Sequence, residues 1–343
     1  MKPPRNHAID VARLVAAFGV IAIHCGPTTP AAERIVDFFS NFCVPFFLLS
    51  SLFLFWAEVQ HTGDAGAALG RRVPRLLVPY AVWTAIYLAA RAAKLLLRQQ
   101  PLDSLFAPEP LLRAIATGGG AVQLYFLPLL LLALGMAWAL SRFLPATGVG
   151  RRWMLAVGVG GGGMLLLLGS DVVASLPAHK ALTRLAVLYL DWFGWLIAPV
   201  AVAAWLAGRS RETSPNPVLG RWLLATALAL DLLIVARAGF YAWRLHSLVL
   251  AVLLLLACIH LGGPRPAGPR LTAVTGTTFG VFLMHHLLLE GLELADVTAG
   301  TNLIRPYTPF TLFIVALATL AACVSASLLL KRSPRLSFLL LGS

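Results

Sequence analysis

Apolar runs of about twenty residues recur from one end of this chain to the other, and that recurrence decides what it can fold into. A helix crosses the hydrocarbon core of a bilayer in about 20 residues at 1.5 Å each. Stretches such as VPFFLLSSLFLF (44–55) and TLFIVALATLAACVSASLLL (311–330) belong to such runs. Lipid offers no water to backbone amides, so the spans must be helices or a closed barrel. The runs are continuous and rich in Leu, Ala and Val rather than alternating, which selects helices. The expected fold is therefore all-α: a polytopic membrane bundle in one domain over residues 1–343, with no appended soluble domain. Only 12% of the 343 residues are charged, against roughly 25% in a soluble domain.

Ten spans are expected: about Ile9–Cys25, Val36–Trp56, Leu76–Leu97, Val122–Phe143, Trp153–Leu168, Leu185–Ala207, Val218–Ala236, Phe240–Leu261, Leu271–Glu290 and Thr308–Leu330. Pro74 and Pro79 punctuate the start of the third. The fifth carries the run Gly160–Gly163, which reads either as close helix packing through small residues or as a break lining a cavity. The net charge of +13 suggests nucleic acid only until the cations are placed. With the N-terminus inside, the cytoplasmic connections hold sixteen positive residues, among them Lys2, Arg5, Arg71, Arg72, Arg75, Arg151, Arg152, Arg265 and Lys331, against three acids: Glu58, Asp64 and Glu212. The other side holds ten of each sign. That asymmetry is the topology signal of a membrane protein and puts both termini in the cytoplasm. One segment breaks it. Arg91, Lys94, Arg98 and Arg113 fall outside, in a connection that reads as an interfacial amphipathic helix. Cys25, Cys43, Cys258 and Cys323 lie in or beside spans without metal-ligand spacing and read as small buried hydrophobes; no metal is expected.

Polar groups inside a span are costly and mark a bundle interior or a wet cavity. The first span, IDVARLVAAFGVIAIHC, carries three. Arg13 and His24 are eleven residues apart, which returns them to nearly the same helix face about 16 Å apart along the axis. Asp10 precedes Arg13 by three residues and can pair with it. Histidine is the side chain suited to taking a proton near neutrality, so His24 is the natural general base.

Arg, ten residues, then His in a first span resembles the acyltransferase 3 family, integral-membrane O-acyltransferases of bacterial surface glycans and related acceptors. Further segments match in order. VPFFLLSSLFLF resembles the family's PxFFxxSGxxL stretch, with Ser50 at the serine and Ser51 at the glycine. RRVPRLLVPY resembles its Arg-x-x-Arg segment, here Arg72 and Arg75. QLYFLPLLL resembles HLWFLxxL, with Gln123 for His and Tyr125 for Trp. FGVFLMHHLLL resembles FGIYLxHPLLL, with His285 at the His and His286 at the Pro.

The resemblance implies transfer of an acetyl or other short acyl group from cytoplasmic acyl-CoA, acetyl-CoA above all, to a hydroxyl of a glycan or lipid-linked saccharide. It implies residence in the bacterial cytoplasmic (inner) membrane, among membrane lipids. Arginine suits phosphate recognition, so Arg72 and Arg75 are expected to hold the coenzyme phosphates, with Arg13 pairing with Asp10 or contacting the coenzyme. His24 would act as general base or transient acyl carrier, and Tyr125 or His285 would donate to the developing oxyanion. Ser50 and Asn41 are candidates to line the acceptor side of the cavity. Glu290, four residues after His286, can pair with it at the outer rim. The competing expectation is an exporter of a glycan or acylated small molecule on the same fold.

Overall fold

The computed structural model describes residues 6–143, 156–164, 181–211, 213–238, 245–262, 268–301 and 307–343. Every regular element among them is a helix. The order is α1 (His7–His24), α2 (Pro30–Thr62), α3 (Ala65–Leu97), α4 (Asp103–Phe106), α5 (Pro108–Thr117), α6 (Phe126–Phe143), α7 (described over 156–164), α8 (Ala181–Ser210), α9 (Pro217–Ala238), α10 (Leu245–Leu261), α11 (Pro269–Thr275), α12 (Thr278–Thr298), α13 (Pro309–Leu330) and α14 (Pro334–Leu341). Seven of these helices are long and apolar enough to cross a membrane, and eight if the bent pair α11–α12 is one span; α10 is a shorter apolar helix. Of the expected spans Trp153–Leu168 and Phe240–Leu261, the described parts are 156–164 and Leu245–Leu261, both helical. Lys2, Arg5, Arg151, Arg152, Glu212 and Arg265 of the charge argument lie outside the described residues.

Local chemistry sets the helix ends. Asn6 caps α1 by accepting from the Ala8 and Ile9 amides, and its Nδ2 donates to the Cys258 carbonyl at 3.2 Å, tying the start of α1 to the end of α10. Thr29 and Pro30 open α2 as N-cap and first-turn proline, six residues before the expected start. Gly63, at φ 74°, closes α2 in the left-handed region where glycine carries no Cβ penalty, and Asp64 caps α3 at once. The third span therefore begins at Ala65 rather than at Pro74. Both prolines sit inside α3, which membrane helices tolerate where neighbours satisfy the freed carbonyls. Across this turn Glu58 binds Arg71 at 2.8 Å and Arg72 at 2.6 Å.

Among the described residues, two segments within expected spans depart from continuous helix. The expected span Leu271–Glu290 is broken at Gly276–Thr277 with a bend of 52°, and its second half runs on to Thr298. Threonine hydroxyls and one lysine make this break possible. Thr275 donates to the Leu271 carbonyl at 2.9 Å, Thr277 to Val274 at 2.7 Å, and Lys331 Nζ to Gly276 at 2.8 Å, so carbonyls around the break have side-chain donors within the protein. The second is Gly118–Tyr125 between α5 and α6, opened by Gly118 at φ 75°. The connection before it, expected as one amphipathic helix, contains the short helices α4 and α5.

Small residues bring the helices together. The glycine run lies inside α7, where a Cβ on Gly158 would meet Ala201 at 3.0 Å and one on Gly162 the Ala198 nitrogen at 2.5 Å. Glycines four apart thus pack α7 on α8, the first of the two readings. A Cβ on Gly19 would fall 2.5 Å from Cys43 Sγ and 2.5 Å from a Phe39 ring carbon, so α1 and α2 touch almost backbone to side chain; Gly135 faces open space. All four cysteines are buried and free. Gly19→Ala should therefore lower stability by about 1–3 kcal/mol through overpacking, whereas Gly135→Ala should hold or raise it. Thermal unfolding of the two variants in the same detergent checks this, and equal behaviour would remove the α1–α2 close approach as a constraint.

Candidate active site

The two departures from helix each line a cavity. Call the side where α1 begins the near side and the other the far side. The near cavity, of about 340 Å³, is bounded by the α11–α12 break (Gly276 to Gly280), by Ser51 and Leu54 of α2, by Leu76 of α3 and by Leu130 and Leu134 of α6. Four cations open into it: Arg13 from α1, Arg72 and Arg75 from α3, and Lys331 at the end of α13. α14 folds back against α3, where the indole of Trp83 donates to the Leu340 carbonyl at 2.9 Å. This puts Leu341, Gly342 and Ser343 in the cavity wall. The Arg13 guanidinium lies 5.7 Å from the Phe47 ring centroid and that of Arg72 lies 5.2 Å from Phe55, geometries in which an aromatic face supports a cation.

The far cavity, of about 550 Å³, is bounded by Tyr87, Arg91, Lys94 and Arg98 of α3, by Pro110 and Ala114 of α5, by Gly119–Val122, and by His286 and Glu290 of α12. Tyrosines hold α5 in place: Tyr80 donates to the Ile115 carbonyl at 2.6 Å and Tyr189 to Ala116 at 2.6 Å. Tyr87 is the hub that ties α3, α12 and the Gly118–Tyr125 segment together. Its hydroxyl donates to the Leu283 carbonyl at 2.8 Å and accepts from Gln123 Nε2 at 2.7 Å and from the Leu287 amide at 3.3 Å.

Three histidines lie between the cavities. His24, at the end of α1, stacks on His285 with ring centroids 5.2 Å apart and packs edge-on against His286 at 5.5 Å. His286 borders the far cavity. On the near side, the rings of Phe47, Phe126 and Phe282 line the near cavity and pack edgewise, and Phe282 lies 6.2 Å from the His285 ring. A phenylalanine layer thus separates the cationic cavity from the histidines. His285 Nδ1 is 3.1 Å from the Val281 carbonyl. A carbonyl only accepts, so Nδ1 carries the proton and Nε2 is left as a buried acceptor without a hydrogen-bond partner among the described residues. His24 makes ring contacts alone among the described residues, which leaves both its nitrogens available.

The residues singled out in the sequence divide into three groups. Arg13, Arg72 and Arg75 converge on the near cavity. His24 and His285 meet in the histidine cluster, and Glu290 stands at the far rim with Oε1 3.6 Å from His286 Nε2 and 3.8 Å from Lys94 Nζ. Ser50, Asn41 and Tyr125 border neither cavity. Ser50 is buried and donates to its own helix carbonyl at Phe47, 3.2 Å, while its neighbour Ser51 faces the near cavity. Asn41 Nδ2 donates to Asp231 Oδ1 on α9 at 3.0 Å, a pair buried inside the bundle. Near Asp10, the other polar group of the first span, His7 Nδ1 lies 3.9 Å from Oδ2. Sequence reasoning missed Tyr87 and Lys331 as cavity residues and His286 as a partner of His24. The signal for His286 was its departure from proline in the FGVFLMHHLLL stretch.

A family model described as an acyltransferase domain matches residues 6–330. No curated protein and no solved structure matches the chain.

Tyr87→Phe would leave the buried Gln123 amide without its acceptor, at about 1–3 kcal/mol. Adding Gln123→Leu should recover part of that loss, because the orphaned group is then gone. A double-mutant cycle read by unfolding in detergent tests it, and strictly additive losses would break the hub.

Proposed function

The chain belongs to the acyltransferase 3 family and is a membrane acyltransferase; from that premise we propose that it moves an acetyl or similar short acyl group from cytoplasmic acyl-CoA to a hydroxyl of a saccharide displayed on the outer face of the bacterial inner membrane. The observation that carries this reading is that one helix serves both sides. α1 presents Arg13 to the near, cationic cavity and His24 to the cluster behind the far cavity. We take the near side as cytoplasmic, with the charge bias, and the two expected spans outside full description as completing a bundle of ten with both termini inside. The family assignment does not favour an exporter.

The residues present fit the donor. Coenzyme A is polyanionic at one end and an uncharged arm with a thioester at the other. Arg72, Arg75, Arg13 and Lys331 supply positive charge, with arginine matched to phosphate geometry, and the apolar wall of Leu54, Leu76, Leu130 and Phe282 suits the arm. The acyl end of the arm has to pass the Phe47–Phe126–Phe282 layer to reach His24, and once it has, the layer limits entry of water from the near cavity to the thioester.

In the transfer, His24 takes the proton of the acceptor hydroxyl as the oxygen attacks the acyl carbonyl. The carbon–oxygen ester bond forms, the carbon–sulfur bond breaks, and the proton passes from His24 to the departing thiolate. A covalent acyl-His24 intermediate is the variant of the same chemistry. His285, with its N–H held by Val281, orients the His24 ring by stacking and offers an acceptor rather than a donor. Tyr125 is the remaining oxyanion donor of the sequence reading; Ser50 and Asn41 are left with support of the helices that form the walls.

Two measurements test the reading. Acetyl-CoA should raise the melting temperature of the detergent-solubilised protein, and Arg72→Ala with Arg75→Ala should weaken that effect by about tenfold or more in concentration. His24→Ala should bind acetyl-CoA like the parent and lose about 10²–10⁴-fold in transfer rate. Wild-type transfer by His24→Ala would remove His24 as the base; no response to millimolar acetyl-CoA from folded protein would remove the donor.

A further inference from the structure

The far cavity has a charge that topology does not explain. Positive residues are disfavoured outside the membrane, yet Arg91, Lys94 and Arg98 stand on the side away from the other arginine clusters. Their spacing is regular. Tyr87, Arg91, Lys94 and Arg98 follow at four, three and four residues, which on a 3.6-residue helix is one continuous stripe about 16 Å long. All four border the far cavity, and Glu290 is the one carboxylate among its bordering residues.

These cations are only lightly committed. Arg91 Nη1 donates to the Gly119 carbonyl at 3.2 Å, which neutralises no charge. Lys94 faces Glu290 at 3.8 Å, with the two side chains 51% and 40% exposed. An ion pair that exposed is worth at most about 1 kcal/mol and opens readily to a competing anion. Arg98 has no side-chain partner among the described residues.

We infer that the acceptor carries an acidic group, a carboxylate or a phosphate on the saccharide, and that Arg91, Lys94 and Arg98 hold it while the reacting hydroxyl lies at the Tyr87–His286 end. This rests on the proposed function, takes the far cavity as the way in for its outer-face acceptor, and names the class of acceptor. The stripe sets the register: from Tyr87, Arg91 is about 6 Å and Arg98 about 16 Å along the axis. The acid therefore sits on the modified sugar, on a neighbouring sugar, or on the phosphate that links the glycan to its carrier lipid. Arginine's planar donor fork suits each of these oxyanions.

The test uses the full chain in nanodiscs of neutral lipid and reads stabilisation by matched probes: glucose against glucuronic acid and glucose 1-phosphate, and maltotriose against trigalacturonic acid. The acidic member of each set should act at about tenfold lower concentration than the neutral one, the size expected of one charge-assisted contact. Response to the sugar phosphate alone would assign the phosphate form, and response to the uronic acids the carboxylate form. Arg91→Gln with Arg98→Gln should abolish the preference, Arg98→Glu alone should reduce it to a similar extent, and Arg72→Ala with Arg75→Ala should leave it intact. Equal response to acidic and neutral probes, no response to any, or loss of the preference through the near-side pair would overturn the inference. So would stabilisation by phosphatidylglycerol nanodiscs that depends on Arg91 and Arg98 and displaces the acidic sugars, which would make the stripe a lipid headgroup site. Acetyl-CoA stabilisation on the same samples separates this failure from failure of the donor reading.

Discussion

A backbone inside lipid has to satisfy its own hydrogen bonds, and among the described residues two places in the bundle do so without a continuous helix. Unwound backbone at membrane depth is tolerated only when buried in protein or facing a wet cavity. Gly276–Thr277 and Gly118–Tyr125 meet that condition in complementary ways. The first is sealed by threonine hydroxyls and Lys331 and borders the near cavity. The second is held by Gln123 on Tyr87 and borders the far one. Both breaks border cavities, and of the groups bonded at them Thr277 and Lys331 line the near cavity and Tyr87 the far one.

The helices between them fix which side chains face which cavity. The α11–α12 bend directs Phe282 to the near cavity and His286 to the far one, with His285 between, all within five residues of one helix. α1 spans the same interval from the other side, from Arg13 to His24. Close contact at Gly19 seats α1 on α2, and Asn6 fixes its start on α10. His24 gains its position from anchored neighbours while keeping its own nitrogens clear of hydrogen bonds. A group that must exchange a proton with a substrate needs that arrangement, since a nitrogen already bonded in the protein is not available to it.

Much of the fold was legible because the bilayer imposes one strong rule on composition, and the apolar runs follow it. The convergence of Arg13, Arg72 and Arg75 was legible too, because segment order on a helical bundle is a good guide to which ends share a side. Less legible were features that depend on a partner distant in sequence. Pro74 and Pro79 signal a helix start locally, but α3 continues through them once packed. Leu271–Glu290 reads as one span despite its TGTT stretch (275–278), and Lys331, 55 positions away, bonds the Gly276 carbonyl at the break. Asn41 and Ser50 are polar groups in spans, which marks a cavity as readily as a buried bond. Asn41 finds Asp231 and Ser50 finds its own helix, so neither faces a cavity.

Charge placement joins the two halves of the molecule. On the near side, cations satisfy the topology rule and line a cavity at once, so topology alone accounts for Arg72 and Arg75 as well as phosphate binding does. On the far side the two explanations part. Arg91, Lys94 and Arg98 oppose the topology rule and still line a cavity. Among the residues bordering that cavity, the carboxylate of Glu290 offers one negative charge for three positive ones. An acidic acceptor, as inferred above, would supply negative charge there on entering the cavity. The exception to the rule that fixes the topology is thus the more informative statement about the substrate.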